Sequence, residues 1–461
     1  MEYVVGIILL LSFFGLAYYC IKGHNLMIGF LVITLVWTIL PLLGTVFASA
    51  SFIEANPVLQ FEGKSGLVKI LNEIYQSAPE GWGTTLVNVC WGAWFGRVLM
   101  DTGIASTLIR KTVELGGDKP MVTIALLNIV TALIFTAMTG AGPVIAIGVI
   151  VLPILMSLGV PKAIAMFSFM GSVAAGIYLN PVNFAQYRAF FIGVDDMPDF
   201  TLGWYAAHWG YAALLIMLVA TTLLAAVYLK KSKTSHAWAA QSRGASEQRN
   251  APIYTLLLPI VPVVLKIWLD FSVIGGFVIA GFLALFLCGR MNGTFKENCQ
   301  LVNKLYYDGV VDTAPLVGFL LTLPMFNKVA SYASPYFKVV LGGVMPKNEL
   351  VVCIVFAVLL FMGLFRGPMT LVGCGAATLG VLSNVASFSV PFLYAVFAIP
   401  TITVNIGSCI TQSWVAWGLA YTKVESKDFL KLSIPNAYVT GVLQYVAAFI
   451  MLGGLGAAWF I

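Results

Sequence analysis

Charge is the scarcest property of this sequence. Only 10% of its 461 residues are Asp, Glu, Lys or Arg, where an ordinary soluble domain carries roughly 25%. Histidine occurs three times. The seven cysteines (Cys20, Cys90, Cys288, Cys299, Cys353, Cys374 and Cys409) are scattered, odd in number and never spaced as CxxC. That excludes a disulfide framework and a zinc ribbon. HExxH is absent, His24 and His236 fall in loops, and no pair of acids or of Ser with His lies deep in an apolar run. The chain therefore reads as a non-enzyme with no resident cofactor. The net charge of +6 comes from basic residues dispersed through loops, which gives no nucleic-acid surface.

What the chain has instead is apolar length. Hydrophobic residues make up 60% of it, and the mean hydropathy is +0.94. A soluble fold of this size needs a far more polar skin, so the solvent is largely lipid. The runs are long and continuous, unlike the short alternating strands of a barrel. An all-α polytopic membrane protein is expected, in a bacterial inner membrane. The first run begins Met1-Glu2-Tyr3 without a basic leader or cleavage site and reads as a retained helix.

A span needs about 20 apolar residues. Ten candidates lie near 2–20, 26–48, 83–108, 161–193, 202–229, 253–270, 271–290, 309–333, 391–420 and 432–460. Two further stretches, about 120–157 and 349–382, each carry a Gly-Pro near the middle, and are read as re-entrant hairpins. Between the second and third spans, Ser49 to Trp82 is mixed and holds an expected interfacial helix around 65–76. Placing both termini outside puts sixteen Lys and Arg in inner loops and five in outer ones, as the positive-inside rule requires.

The polar connection from Lys230 to Asn250 divides the chain into 1–229 and 253–461, joined by a cytoplasmic linker at 230–252. Each part holds five spans and one hairpin, and an odd number of spans inverts the second relative to the first. Inverted repeats of this kind are common in secondary carriers. A faint trace supports the pairing: Gly142-Pro143, Gly148 and Asn180 lie 225 positions before Gly367-Pro368, Gly373 and Asn405.

Broken helices survive in hydrocarbon where they line a polar cavity. Four breaks are expected here: the tips Thr139–Pro143 and Arg366–Pro368, the Asn180–Asn183 segment in 161–193, and Thr401–Ser408 after Pro400 in 391–420. Pro143, Pro181 and Pro368 each suit the first position of a following helix. Helix starts directed at the membrane centre bind carboxylates through free N–H groups. The candidate substrate residues are Thr139, Gly140, Gly142, Asn180, Asn183, Arg366, Gly367, Thr370, Asn405 and Ser408, with Gln186, Arg188 and Thr411 as secondary ones. Backbone carbonyls at the tips and breaks suit Na⁺, and either Na⁺ or H⁺ serves as the coupling ion. Simple kinks explain a single Gly-Pro equally well, but four breaks in matching positions favour a site.

Among intramembrane charges, Arg366 is read as a clamp on a substrate carboxylate. Arg188, two turns beyond Asn180, suits snorkelling as well as substrate contact. Arg97 and Asp101 are expected to pair with each other at i,i+4, and Lys266 to snorkel. Asp101, Asp270 and Asp312 all fall near span ends, so no acid is expected at mid-membrane. His208 reads as a packed or interfacial side chain.

These residues resemble the ion transporter superfamily, which includes citrate–metal symporters, anaerobic C4-dicarboxylate carriers, gluconate permeases and some Na⁺/H⁺ antiporters. The likeness is strongest from Trp94 to Arg188. There Phe95-Gly96-Arg97-Val98-Leu99-Met100-Asp101-Thr102-Gly103 is similar to the FG-hydrophobic-DTG segment of the citrate branch, followed by Gly117-Asp118, the tip Thr139–Pro143 and Leu152-Pro153-Ile154-Leu155. The second half is covered through topology alone. The resemblance implies a scaffold domain, a moving transport domain, cation-driven uptake by an elevator motion and a homodimer. Two features differ: the first tip lacks acidic or Ser-Asn-Thr character, and the second carries an arginine.

The leading expectation is a symporter for a di- or tricarboxylate or a sugar acid. A Na⁺/H⁺ antiporter on the same scaffold is the alternative; an intramembrane enzyme lacks a catalytic pair, and a passive channel has no need of opposed hairpins. The topology is testable directly. A green fluorescent protein inserted after Gln241 should fluoresce, and alkaline phosphatase fused after Asp196 should be active; the reverse pattern inverts the orientation.

Overall fold

The structure, a computed structural model, describes every residue except 22–23, 61–62, 118, 192–198, 233–249, 344–345, 374, 386–387 and 454–461. A few helical side chains, that of Arg366 among them, also lie outside the described set. So do most of the connection between the halves and most of the acidic loop Asp195–Asp199. Among the described residues the chain is helical throughout, without strands.

Helix α1 (Glu2–Ile21) pairs with α2 (Leu26–Phe47), whose start is capped by Asn25 accepting from the Ile28 N–H at 3.3 Å. A short helix α3 (Gly63–Asn72) runs on into a wider π-helical turn, Glu73–Ser77. The stretch 65–76, expected to hold a helix, is therefore helical. Next, α4 (Gly83–Asp101) ends at Gly103, which takes the left-handed φ of 76° that the turn into α5 (Ile104–Gly116) requires. The span read at 83–108 is thus two helices.

Two helices fill the stretch 120–157: α6 (Pro120–Phe135) and α7 (Ala141–Ser157). Helix α8 (Lys162–Ile177) shows how they are arranged. Asn128 accepts from Ser168 at 2.7 Å, and Ala132 closes on Gly176, so α6 climbs alongside α8 in the same direction. Gly148 packs on Phe169 while the start of α7 reaches the end of α8, so α7 returns the other way. The pair is a hairpin. Its turn lies beside the end of α8, where the chain bends 67° into α9 (Pro181–Arg188). Pro181 begins α9, as expected. Pro143 is the third residue of α7, where its missing N–H still has no helical partner to lose.

Helix α10 (Leu202–Lys231) is continuous through a π-helical turn at Ala206–Gly210. His208 lies in that turn, stacked on Trp204 at 4.0 Å with its Nδ1 2.7 Å from the Trp204 carbonyl. The span read at 253–270 is a 3₁₀ segment, Ile253–Ile260, followed by α11 (Val261–Leu269); α12 (Val273–Leu287) comes after. Lys266 does not simply snorkel, for its ammonium pairs with Asp270 at 2.6 Å.

The largest difference from the sequence reading is α13 (Phe295–Leu341). Its 47 residues extend about 70 Å, more than twice the roughly 30 Å hydrocarbon thickness. Thr294 opens it with a capping box: its hydroxyl accepts from the Glu297 N–H while the Glu297 carboxylate accepts from the Thr294 N–H. The span read at 309–333 is only its middle. Gly309 lets this helix cross α4 at backbone distance, against Ala93 and Trp94.

The stretch 349–382 contains α14 (Glu349–Val358), a 3₁₀ turn (Leu360–Arg366) in which Phe365 adopts a left-handed φ of 55°, an irregular loop, and α15 (Gly375–Val385). Pro368 therefore starts no helix, contrary to expectation. Helix α16 (Val390–Ile399) continues unbroken past Pro400 as a π-helical stretch to Ile406. The chain unwinds only at Cys409–Gln412, before α17 (Ser413–Thr422). The break expected at Thr401–Ser408 thus falls about one turn later, because the wider turn absorbs the proline. Helix α18 (Ser426–Leu452) follows.

Three described helices are long and apolar enough to cross a membrane unaided: Met27–Phe47, Leu202–Lys231 and Ser426–Leu452; the bent pair Lys162–Ile177 and Pro181–Phe191 makes a fourth. Most other apolar runs are divided by breaks, which is why ten unbroken spans are not seen.

The segment after α3 is fastened to α13. The Tyr332 hydroxyl donates to Glu73 at 2.7 Å, and Lys328 lies 3.1 Å away. Tyr332 first, then Lys328, holds the Glu73 carboxyl below the usual carboxylate range against the opposing effect of burial. A depressed folded pKa stabilises above the unfolded value and is lost as pH falls through the folded one. Glu73→Gln should lower the melting temperature in detergent at pH 7, and the gap should close as pH drops below about 4.3; a pH-independent gap contradicts the ion pair.

Candidate functional site

Asn180 and Asn405 hold the breaks together. Asn180 is fully buried. Its Oδ1 accepts from the N–H groups of Val182 and Asn183 at 3.0 and 3.1 Å, capping α9. Its Nδ2 donates to the carbonyls of Phe135 and Met138, both at 3.1 Å, where α6 runs out into the first tip. One amide thus serves the two backbone ends exposed by neighbouring breaks. Asn405 does the corresponding work in the other half. Its Nδ2 donates to the Gly363 carbonyl at 3.4 Å, and its Oδ1 accepts from Gln412. Thr370 donates to the same Gly363 carbonyl at 2.8 Å, and Thr401 accepts from the Leu371 N–H at 3.0 Å. Gly363 lies the same 225 positions beyond Met138 that separate Asn405 from Asn180. Tyr178 and Thr403, also 225 apart, touch through their hydroxyls at 2.7 Å.

A cavity of about 330 Å³ opens between these elements. Thr139, Gly140 and Ala141 of the first tip line it, as do Asn183 and Gln186 of α9, Val372 of the loop that follows the second tip and Thr411, Gln412 and Trp414 of the second break. Of the candidates, Thr139, Gly140, Asn183, Gln186 and Thr411 are therefore brought together. Asn183 gives one end of its amide to the Tyr187 hydroxyl at 3.3 Å, and the other end is buried without a partner. An unpaired buried amide end costs about 1–3 kcal/mol unless a ligand meets it.

The remaining candidates are outside the lining. Asn180, Asn405 and Thr370 direct their polar atoms to the chain itself, and Ser408 donates to the Ser433 carbonyl at 3.4 Å. Gly367 sits where a Cβ would overlap the Met362 carbonyl, a packing reason for glycine. Arg188 ends α9 half-buried. The clamp assigned to Arg366 falls on a side chain outside the described residues.

Two ion pairs correct the sequence reading. Arg97 does not pair with Asp101. It forks onto Asp312 of α13 at 2.6 and 2.5 Å, while Asp101 accepts the fork of Arg290 at 2.6 and 2.9 Å. Both are bidentate, the geometry that favours Arg–carboxylate pairs, and both bind α4 to the second half. Asp312, read near the end of the run at 309–333, lies within the body of α13. It lines the cavity beside Thr313 and lies so close over Gly142 that a Cβ there would overlap its carboxylate. Sequence reasoning missed it because the apolar window at 309–333 conceals where the helix begins; the Thr294…Glu297 capping pattern was the available signal. Gln412 and Trp414 were missed because the break was placed one turn early.

No family model matches the chain, and no curated protein matches it. Among solved structures it is similar to the YdaH transporter of Alcanivorax borkumensis, whose crystal structure is described as revealing an unusual topology. The TM-score is 0.57 at 15% identity, covering 86% of this chain and 90% of that one. At this identity the likeness is one of fold. Among its described residues the chain is helical, with helices long and apolar enough to cross a membrane, and it shares the fold of that transporter.

The Asn180 assignment is testable by stability. Asn180→Ala removes a cap, worth about 1 kcal/mol, and orphans two tip carbonyls. A clear fall in melting temperature is expected, with faster thiol labelling of a cysteine placed at Thr139. Wild-type values for both would mean that the amide does not hold the tip.

Proposed function

We propose that this chain is a secondary active transporter of a small organic anion, a di- or tricarboxylate or a sugar acid, coupled to H⁺ or Na⁺. The observation that carries the reading is the shared cavity. The first tip, the loop that follows the second tip and both broken helices contribute to its wall, although they are far apart in the chain. Breaks of this kind are tolerated at membrane depth where they line a watery site. The lining also offers what orientation of a polar solute needs: a hydroxyl at Thr139, amides at Asn183 and Gln412, and the uncapped start of α7, whose N-cap Gly140 supplies no side-chain bond.

The rest of the reading follows from the same features. The halves 1–229 and 253–461 act as inverted repeats about the linker at 230–252; the contact between Tyr178 and Thr403 supports this, since equivalent positions meet on a two-fold axis. Alternating access is of the elevator type within the ion transporter superfamily, the assembly is a homodimer in a bacterial inner membrane, and both termini are periplasmic. The fold shared with a transporter supports the class.

Asp312 gives the alternative, a Na⁺/H⁺ antiporter, an observation in its favour: a carboxylate in the cavity is what such a protein requires. The two readings separate in one preparation. Proteoliposomes of the purified protein should exchange at least one of labelled succinate, citrate and gluconate in counterflow. Asn183→Ala should reduce that exchange about tenfold, the equivalent of one hydrogen bond of about 1.4 kcal/mol, and Arg366→Gln should reduce it further. Na⁺-driven proton movement with no exchange of any acid would establish the antiporter instead.

A further inference from the structure

Asp312 occupies the place that the transport reading assigns to a substrate carboxylate. Its oxygens take both arms of Arg97, and it lies against Gly142 in the first turn of α7. A guanidinium fork and a helix start are two of the best anion partners a protein can offer. Here the fork of Arg97 holds one carboxylate belonging to the chain, and that carboxylate packs against the first turn of α7 at Gly142. Asp312 is also the one carboxylate among the described cavity-lining residues. Its side chain is 14% exposed and that of Arg97 32%, so neither is sealed off; Asp312 lines the cavity and Arg97 stands directly behind it.

Among the described residues that line the cavity none is a cation; Arg188 ends α9 half-buried outside that lining, and the side chain of Arg366 lies outside the described residues. Facing Asp312, α4 presents Arg97; its Asp101, one turn on, is held by Arg290. On α13 itself Asp308 lies one turn earlier. Helix α9 brings the neutral Tyr187 to the cavity wall. The helices α2, α7 and α15 carry no charged residue, and α1 carries only Glu2 at its far end, bound to Ser49.

Two carboxylates brought into one small site each disfavour the charge of the other. Resting on the proposed carboxylate transport, we propose that Asp312 is the proton-coupling residue: an entering substrate carboxylate displaces it from Arg97 and the start of α7, and Asp312 then takes up a proton. The step balances simply. One proton from the aqueous phase on the loading side bonds to a carboxylate oxygen of Asp312. The substrate carboxylate replaces Asp312 as the partner of Arg97. On release, Asp312 gives the proton to the opposite phase and re-forms its pair. One proton accompanies each displacing carboxylate, so the coupling ion is H⁺.

The test uses proteoliposomes containing wild type, Asp312→Asn or Asp312→Glu, and the acid among succinate, citrate and gluconate that the wild type exchanges. Wild type should accumulate it against its gradient when the lumen is made alkaline. Asp312→Asn should keep measurable counterflow exchange, which needs no net proton movement, while its pH-driven accumulation falls at least tenfold. Asp312→Glu should accumulate with a displaced pH profile. Accumulation by Asp312→Asn equal to wild type overturns the coupling role and leaves the transport reading standing. Loss of exchange by Asp312→Asn with a wild-type melting temperature also overturns it, for the residue then serves binding alone. If Asp312→Asn does not fold, an unshifted pH profile in Asp312→Glu overturns it. A wild-type protein that exchanges none of the three acids removes the transport reading, and the coupling role with it.

Discussion

A helix that stops inside a membrane leaves N–H and C=O groups that lipid cannot satisfy, at several kcal/mol for each. Asn180 answers this for two breaks at once, capping α9 with its oxygen and closing the end of α6 with its nitrogen. Asn405, helped by Thr370, Thr401 and Gln412, does the same for the second tip and the π-helical stretch beside it. Without these bonds neither tip has a fixed position, and the cavity between them has no fixed wall. The side chains that looked most like ligands in the sequence are thus the ones that build the site, and their neighbours line it.

The scarce charges follow a similar logic. Arg97 and Asp101 lie one turn apart on α4, yet each reaches across to the second half, to Asp312 and Arg290. Charges are costly where lipid excludes water, so each remains where a bidentate partner neutralises it. The two pairs fasten α4 to α13 and to the loop after α12. Between them Gly309 brings the backbones of α4 and α13 into contact. A stiff central element results, against which the first tip is set. Asp312 belongs both to that element and to the cavity.

Much of this was legible in the sequence. The Gly-Pro pairs marked the tips, Asn180-Pro181 marked the first break, and the repeated spacing singled out Asn405 together with Asn180. What escaped was decided by tertiary contact. The i,i+4 rule pairs neighbours on one helix, but Arg97 is bound to a carboxylate 215 residues away while Asp101, one turn along its own helix, is taken by Arg290. A hydropathy window centres on the apolar part of a helix and says little about its ends, so Asp312 was read at the edge of a run when it lies well inside α13. Pro400 was read as a break, but a π-helical turn absorbs a proline by widening, which moved the real break to Cys409–Gln412. The roles of Asn180 and Thr370 were misjudged for a simpler reason: a polar side chain at a break serves the backbone before it can serve a solute.

The central claim is that tips and broken helices meet in one water-filled cavity. Its most direct test is the accessibility of single cysteines, in a cysteine-free background, at Val372, Gln412 and Ala141. All three should react with a small membrane-impermeant thiol reagent, from one side of the membrane at a time, and all three should be protected together by a transported acid. Reaction of one position without the others, or of none while a cysteine in the linker at 241 labels readily, would contradict it.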